Sequence, residues 1–262
     1  MKTWRQAVVM AAGAMLVCVP LAFAQATDAE FKCEQKATQA STKFVASKSK
    51  CVSKCLTNFW KGVGSSADCF PPYGGTTAQC IDDTVLDLKG AEDKFRDAIR
   101  KSCDPTLKST LDCPECYSGG DCSAAGYAGD YVQTIEGQVD SFVPGVACEI
   151  GGDAGEQKCM TNTAKALSKQ VGGVVKCYLK CFANARKGLI SAATCLPPAA
   201  DPVTAACIAK VDGKTIIAVN KLCGDAGQIP DCSGTDDYPD GATWVNLVDI
   251  AISGNIPNNF CE

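Results

Sequence analysis

The cysteines of this chain repeat at a fixed spacing. Four of them recur 126 positions further along without a gap, since Cys33, Cys51, Cys55 and Cys69 correspond to Cys159, Cys177, Cys181 and Cys195. Over the 40 positions that begin at Cys33 and Cys159, 16 residues are identical. A cysteine framework kept in register over this length indicates two copies of one disulfide-stitched unit. The repeat constrains the fold far more than it constrains the activity.

The first residues predict a secretory signal peptide. Lys2 and Arg5 precede an apolar run over 7–23, and Ala22-Phe23-Ala24 offers a small-residue cleavage site. We therefore expect residues 1–24 to be removed and the protein to be secreted or periplasmic. No later stretch is apolar for long enough to predict a transmembrane segment.

The rest of the chain divides into two predicted units, residues 25–150 and residues 156–262. They are separated by a glycine-rich loop over 151–155. Each unit continues from its shared cysteines to a proline pair, a Lys-x-Cys sequence, an Asp-Cys-Ser sequence and a last cysteine. Of the 18 cysteines after residue 24, 16 have a counterpart in the other unit.

The spacing of apolar residues predicts an all-α fold. Apolar positions recur every three or four residues over 28–62, with one polar gap near Ser47, and again from Met160 to Phe182. These long amphipathic helices are expected to end near Gly62 and Gly188, because glycine suits a helix C-terminus. The proline pair cannot continue a helix. Each unit should therefore contain an antiparallel long-helix hairpin, followed by a shorter third helix near 129–143 or 242–252.

The two units differ by seven residues in the second helix of the hairpin. Cys80 and Cys103 are 23 positions apart, whereas Cys207 and Cys223 are 16 apart. Seven residues are about two helical turns, which leave the buried face nearly unrotated. We therefore expect a continuous helix in both units.

Helix rise predicts which cysteines are bonded. In an antiparallel hairpin, cysteines on the two helices pair when they lie at matched heights, and about 1.5 Å per residue sets those heights. The second unit should contain the pairs Cys159–Cys223, Cys177–Cys207 and Cys181–Cys195. By equivalence, the first unit should contain Cys33–Cys103, Cys51–Cys80 and Cys55–Cys69, with Cys55–Cys80 and Cys51–Cys69 as the alternative.

The remaining cysteines lie towards the end of each unit. Tail disulfides are expected for Cys122–Cys148 and Cys232–Cys261. Cys113 and Cys116 have no equivalent in the second unit, and their C-x-x-C spacing could serve a redox dithiol or half of a zinc site. No strand-then-helix context surrounds them, and no second C-x-x-C is present. A local structural disulfide is therefore the preferred interpretation.

Composition excludes several functions. The chain has no histidine, which removes Ser-His-Asp and Cys-His catalysis and imidazole-bound metals. Its formal net charge is −4, and the sequence shows no basic patch, so a nucleic acid or an anionic membrane is not expected as a partner. A dense, even cysteine set in an exported protein favours disulfides, since the compartment is oxidising. The sequence predicts no cofactor and marks no catalytic residue.

The spaced cysteine pairs and two acidic clusters are candidate sites. The spacing of Cys51 and Cys55, repeated in the second unit, resembles that in bacterial copper-storage four-helix bundles, whose thiolates bind Cu(I). Acidic residues near the last helix could bind calcium weakly, although a solvated turn is preferred; they are Asp231, Asp236, Asp237 and Asp240. A second acidic run interleaved with basic residues predicts the charged outer face of a helix; it contains Asp82, Asp83, Asp87, Glu92, Asp93 and Asp97. Trp60 and Trp244 are expected to be core or boundary residues.

Two matched segments carry a resemblance to a known group of proteins. CVSKCLTNFWKG (51–62) and CYLKCFANARKG (177–188), each followed by a cysteine and a proline pair, resemble uncharacterised secreted cysteine-rich helical proteins of environmental bacteria. The resemblance covers most of the chain after residue 24. It implies a tandem helical architecture and no reaction.

The sequence therefore predicts an exported, non-enzymatic, disulfide-rich helical protein. Its expected role is structural or an interaction, in the cell envelope or outside the cell, with an unknown protein as partner. The alternatives are binding of a small apolar ligand between the helices of each hairpin and storage of copper by cysteine thiolates. A cavity lined by the Met160–Phe182 stripe would favour the ligand-binding alternative.

Overall fold

The structure, a computed structural model, is all-helical in the part of the chain that it describes. That part comprises residues 28–82, 90–103, 127–146, 154–223 and 240–260. It contains seven α-helices, two short 3-10 turns and no strand. The predicted all-α class is confirmed. The helices are α1 (Asp28–Trp60), α2 (Gly75–Ile81), α3 (Ala91–Cys103), α4 (Tyr127–Val146), α5 (Ala154–Arg186), α6 (Pro202–Cys223) and α7 (Gly241–Asn259).

The long helices α1 and α5 each contain 33 residues and end in the same way. At the end of α1, the Gly62 amide donates to the Phe59 carbonyl and the Val63 amide to the Asn58 carbonyl. Equivalent bonds from Gly188 and Leu189 close α5. Both glycines have positive φ, 78° and 70°, which side-chain-bearing residues adopt only at a cost. A 3-10 turn and a cis proline pair follow in each case.

The prediction of a continuous second helix is confirmed in the second half and wrong in the first. Helix α6 runs unbroken from Pro202 to Cys223, but its counterpart is divided into α2 and α3. Asp82 ends α2 in extended conformation, with φ −130° and ψ 112°. Gly90, just before α3, is also outside a helix. Helix α2 therefore ends at Ile81 and α3 begins at Ala91, with the non-helical Asp82 and Gly90 between them.

The third helices are present near their predicted positions, and both are longer than expected. Helix α4 extends over 20 residues and α7 over 19. Asp240 begins α7, because its carboxylate accepts hydrogen bonds from the Thr243 amide and hydroxyl at 2.8 and 3.0 Å. Asp240 therefore has a helix-capping role, while the other three residues of the calcium hypothesis lie outside the described residues.

Within the described residues, six disulfides hold the helices together. They are Cys33–Cys103, Cys51–Cys80, Cys55–Cys69, Cys159–Cys223, Cys177–Cys207 and Cys181–Cys195. These pairs coincide with those expected from matched helix heights, and the alternative pairing of Cys55 with Cys80 does not occur. They indicate an oxidising, extracytoplasmic environment. Cys113, Cys116, Cys122, Cys148, Cys232 and Cys261 lie outside the described residues, as does the predicted signal peptide.

The two long helices pack against each other in antiparallel orientation. Arg186, at the end of α5, forms an ion pair with Asp28, at the start of α1, at 3.4 Å. The same guanidinium lies 5.5 Å from the centre of the Phe31 ring. The core around α5, α6 and α7 extends to Phe142 and Val146 of α4. The two halves of the chain therefore share apolar contacts, while their boundaries as separate units remain a prediction.

Within each half, the long helix lies parallel to the third helix and antiparallel to the second. Phe44 of α1 stacks on Phe95 of α3 at 5.2 Å, and Phe95 contacts the edge of Tyr131 in α4. In the other half, Phe182 of α5 stacks on Phe260, which directly follows α7, at 4.0 Å. In the first half, Phe95 of α3 therefore lies between rings of α1 and α4. In the second half, the long helix contacts the residue after α7 directly.

The two tryptophans occupy the kinds of position expected for them. Trp244 of α7 is 1 % exposed and belongs to the core of the second half. Trp60, at the end of α1, is half-buried and packs against the cluster that contains Val52 and Leu56. Trp244 is thus a core residue and Trp60 a boundary residue.

Candidate functional site

An apolar cavity of about 130 Å³ lies among four helices, α1, α4, α5 and α7. Helix α5 contributes an apolar wall that includes Met160, Leu167 and Val175. Helices α4 and α7 contribute Ile135, Val139, Phe142, Val143, Val248 and Ile252. The predicted stripe on α5 therefore does line a cavity. The location differs from the expectation, because the cavity lies between the two halves and not inside either hairpin.

Polar but uncharged side chains surround this cavity. Ser41, Ser49 and Ser53 line it from α1, and Thr161 and Ser168 line it from α5. Among all the described residues that line the cavity, none is an aspartate, glutamate, lysine or arginine. A buried charge needs a partner or water to offset its desolvation. The lining therefore suits an uncharged guest better than an ionic one.

One hydrogen bond joins the two third helices beside the cavity. The Asn255 side-chain amide of α7 donates to the Gln138 side-chain carbonyl of α4 at 2.5 Å, and also to the Ala251 backbone carbonyl at 2.7 Å. Tyr131 lies on the same lining, where burial raises the pKa of its hydroxyl to about 12. Its hydroxyl is therefore protonated at neutral pH, which leaves the lining without charge.

A pair of half-buried acidic residues contacts a buried amide in the second half. Gln170 of α5 is fully buried, and its amide donates to Asp212 of α6 at 3.2 Å and to Asp249 of α7 at 2.9 Å. It also donates to the Val245 carbonyl at 3.1 Å. Burial and the Asp212 charge raise the pKa of Asp249 to about 7, and burial raises that of Asp212. One amide thus links three helices, and the raised pKa keeps Asp249 largely protonated below pH 7.

Replacing Asp249 with asparagine is expected to stabilise the protein above pH 7. In the wild type, the raised pKa of Asp249 makes stability fall as the pH rises from about 4 through 7, because the unfolded chain ionises first. The asparagine side chain cannot ionise, so D249N should exceed the wild type at pH 8 by about 1–2 kcal/mol, a figure reduced for partial solvent screening. Urea unfolding at pH 4, 6 and 8 measures this. D97N, at a surface carboxylate, should leave the pH profile unchanged, and equal pH profiles for D249N and the wild type would contradict the expectation.

The first half contains a different buried polar cluster, centred on Lys48. The Lys48 side chain is fully buried in α1, and its ammonium lies 2.6 Å from Glu136 and 2.6 Å from Asp140 in α4. The Tyr73 hydroxyl donates to the same Asp140 carboxylate at 2.6 Å, and its ring lies 5.0 Å from the ammonium. Burial and this bond raise the pKa of Tyr73. Lys48 thus ties the long helix, the third helix and the corner together.

Glu92 corrects the expectation of a charged outer face. The acidic run was expected to face solvent as a whole, but Glu92 is 4 % exposed and bonds to Arg96. Burial and the nearby Glu136 raise its pKa to about 7. Asp97 follows the expectation, since it forms an exposed ion pair with Lys101. Asp83 and Asp87 lie outside the described residues.

The cysteine pairs of the copper hypothesis are not free thiols. Cys51 and Cys55 are bonded to Cys80 and Cys69, and their counterparts on α5 are bonded in the same way. A disulfide sulfur is not a thiolate ligand. Within the described ranges, no group of three or more His, Cys, Asp and Glu side chains is placed to hold a metal ion. The structure therefore gives the copper hypothesis no support.

Comparison with protein-family models, with curated proteins and with solved structures finds no match for this chain. None of the described helices is long and apolar enough to span a membrane.

The location of the cavity between the two halves, Lys48 and the Gln170 cluster were not predicted from the sequence. A signal for Lys48 was present, because it occupies the stripe position four residues after Phe44 and three before Cys51. A lysine on the apolar stripe of a helix indicates burial with an acidic partner. Gln170 lies at the position equivalent to Phe44, 126 residues further along. Its place on the apolar stripe of α5 therefore also indicated a buried polar side chain.

Proposed function

We propose that this protein is an exported, non-enzymatic helical protein that binds a small, uncharged, apolar molecule in the cavity between its two halves. The observation that carries the proposal is the lining of that cavity, which combines apolar side chains with polar, uncharged ones. Ligand pockets typically combine such walls with a few polar groups that orient the ligand. The geometry favours this ligand-binding role over the structural or interaction role expected first from the sequence.

The size of the cavity indicates the size of the bound group. A cavity volume of about 130 Å³ is similar to that of the engineered apolar cavity of about 150 Å³ that binds benzene. Half-buried residues such as Val45, Ala164 and Val171 lie along the lining. A longer molecule could therefore place one apolar end inside and extend along these residues. A neutral alcohol, ester or amide would find hydrogen-bonding partners at Gln138 and Asn255.

The absence of an enzymatic role is part of this proposal. The chain has no histidine, and the lining holds no carboxylate or amine, within the described residues, to act as a general acid or base. The disulfides support export to an oxidising compartment. The proposal includes secretion through the predicted signal peptide and an architecture of two tandem units. It also includes membership of the group of secreted cysteine-rich helical proteins that the sequence resembles.

Filling the cavity is expected to abolish binding of a neutral apolar probe. The probe is N-phenyl-1-naphthylamine, an uncharged dye whose fluorescence rises in apolar surroundings. Ala164→Phe, on the α5 wall, should weaken its binding at least tenfold, because the added ring occupies the space that the dye needs. The measurement is a fluorescence titration, with circular dichroism to verify that each variant is folded.

The matched control is Ala46→Phe, at an exposed position on α1 outside the cavity lining. It should bind the dye as the wild type does. Val171→Phe provides a second cavity variant if Ala164→Phe fails to fold. Equal dye binding by the wild type, the folded cavity variants and Ala46→Phe would overturn the proposed function.

A further inference from the structure

A second groove, separate from the cavity, lies between α1 and α3. Its volume is about 360 Å³. Small side chains, Ala40, Ala91 and Ala98, lie along it beside the stacked rings of Phe44 and Phe95. This volume lies within the range of pockets that hold small molecules.

Four lysines line this groove, two from each helix. Lys36 and Lys43 belong to α1, and Lys94 and Lys101 belong to α3. All four are exposed, and none of the described residues that line the groove is acidic. The expectation that the protein has no basic patch is therefore wrong at this place. Sequence order hides the patch, because each helix places its two lysines seven residues apart.

The register of the two helices arranges the lysines in two pairs. Helices α1 and α3 are antiparallel, joined at one end by Cys33–Cys103. Lys36 and Lys101 therefore lie near this disulfide, and Lys43 and Lys94 lie near the Phe44–Phe95 stack. Seven residues of helix separate the pairs by about 10 Å. Asp97 pairs with Lys101 at 3.2 Å and offsets part of the charge at one end.

From this arrangement we propose that the groove binds an elongated organic dianion with an apolar middle. Each acidic end meets one lysine pair, and the methylene chain between them lies along the alanines. A carboxylate between two ammonium groups gains charge-assisted hydrogen bonds, which are stronger than those between neutral groups. A monoanion of the same length would satisfy one pair only. The site does not depend on the cavity or on its proposed ligand.

Calorimetric titration with decanedioate and decanoate tests this inference. Decanedioate should bind at least tenfold more tightly than decanoate at low salt, and its affinity should fall as salt screens the lysines. The double variants Lys36→Gln/Lys101→Gln and Lys43→Gln/Lys94→Gln, which remove one pair each, should each weaken decanedioate at least tenfold. Either variant should bring its affinity close to that of decanoate.

Two controls separate this groove from other sites. Lys32→Gln/Lys50→Gln removes two exposed lysines of α1 that do not line the groove and should leave decanedioate binding unchanged. Ala164→Phe, which fills the cavity, should also leave it unchanged. Equal affinity for the two acids, or an equal loss from the control lysine pair, would overturn the inference. If Ala164→Phe loses binding of the neutral dye but keeps decanedioate binding, that result concerns only the proposed function.

Discussion

Removal of the Cys159–Cys223 disulfide, by Cys159→Ala/Cys223→Ala, is expected to lower the free energy of unfolding by about 4 kcal/mol. This bond closes a loop of 64 residues and joins the start of α5 to the end of α6. A cross-link over so long a loop restricts the unfolded chain more than a short one does. Urea denaturation of the oxidised protein measures the change.

The corner disulfide is the matched control for loop length. Cys181 and Cys195 are only 14 positions apart, so Cys181→Ala/Cys195→Ala should cost about 3 kcal/mol. The order of the two losses is the critical result. A larger loss at the corner would contradict the loop-entropy account and would indicate that packing of the corner governs its stability.

Replacing Lys48 with methionine is expected to cost about 3 kcal/mol, the second large effect. Methionine fills a similar volume but leaves the Glu136 and Asp140 carboxylates close together without their cation. Both carboxylates keep about a quarter of their side-chain surface exposed, so the loss should lie at the low end of the range for broken buried pairs. Urea denaturation at pH 7 measures it.

A triple variant isolates the electrostatic part of this loss. Adding Glu136→Gln and Asp140→Asn to Lys48→Met removes the repulsion, and at least half of the lost stability should return. Lys50→Met, at an exposed position on the same helix, should change stability by less than about 0.5 kcal/mol. If the triple variant is no more stable than Lys48→Met, lost packing and not charge explains the effect.

Much of the fold follows from local pattern. Helix ends at Gly62 and Gly188 were predictable, because glycine allows the positive φ that closes each long helix. Disulfide partners were predictable where helices are continuous, as in α5 and α6, since height along a helix is a fixed function of residue number. The break between α2 and α3 was not, because seven residues fit two helical turns as readily as they fit a break.

The candidate sites depend on packing between helices distant in sequence. Val45 and Val248 line one cavity, although the order of residues does not show that α1 and α7 meet there. The lysine groove was hidden for a similar reason, because its two walls come from separate helices. Glu92 belongs to a run of charged residues, and its burial depends on how α3 packs against α1 and α4, which the order of residues does not show.

The unlike polar clusters of the two halves have a consequence for assembly of the chain. Similar helices within one chain can take each other's places during folding. If α7 took the place of α4 beside α1, Lys48 would lose Glu136 and Asp140 and would be buried without a counter-charge. If α4 replaced α7 beside α5, Gln170 would lose its bonds to Asp249 and Val245. The buried polar side chain of each long helix, Lys48 or Gln170, thus disfavours pairing with the third helix of the other half.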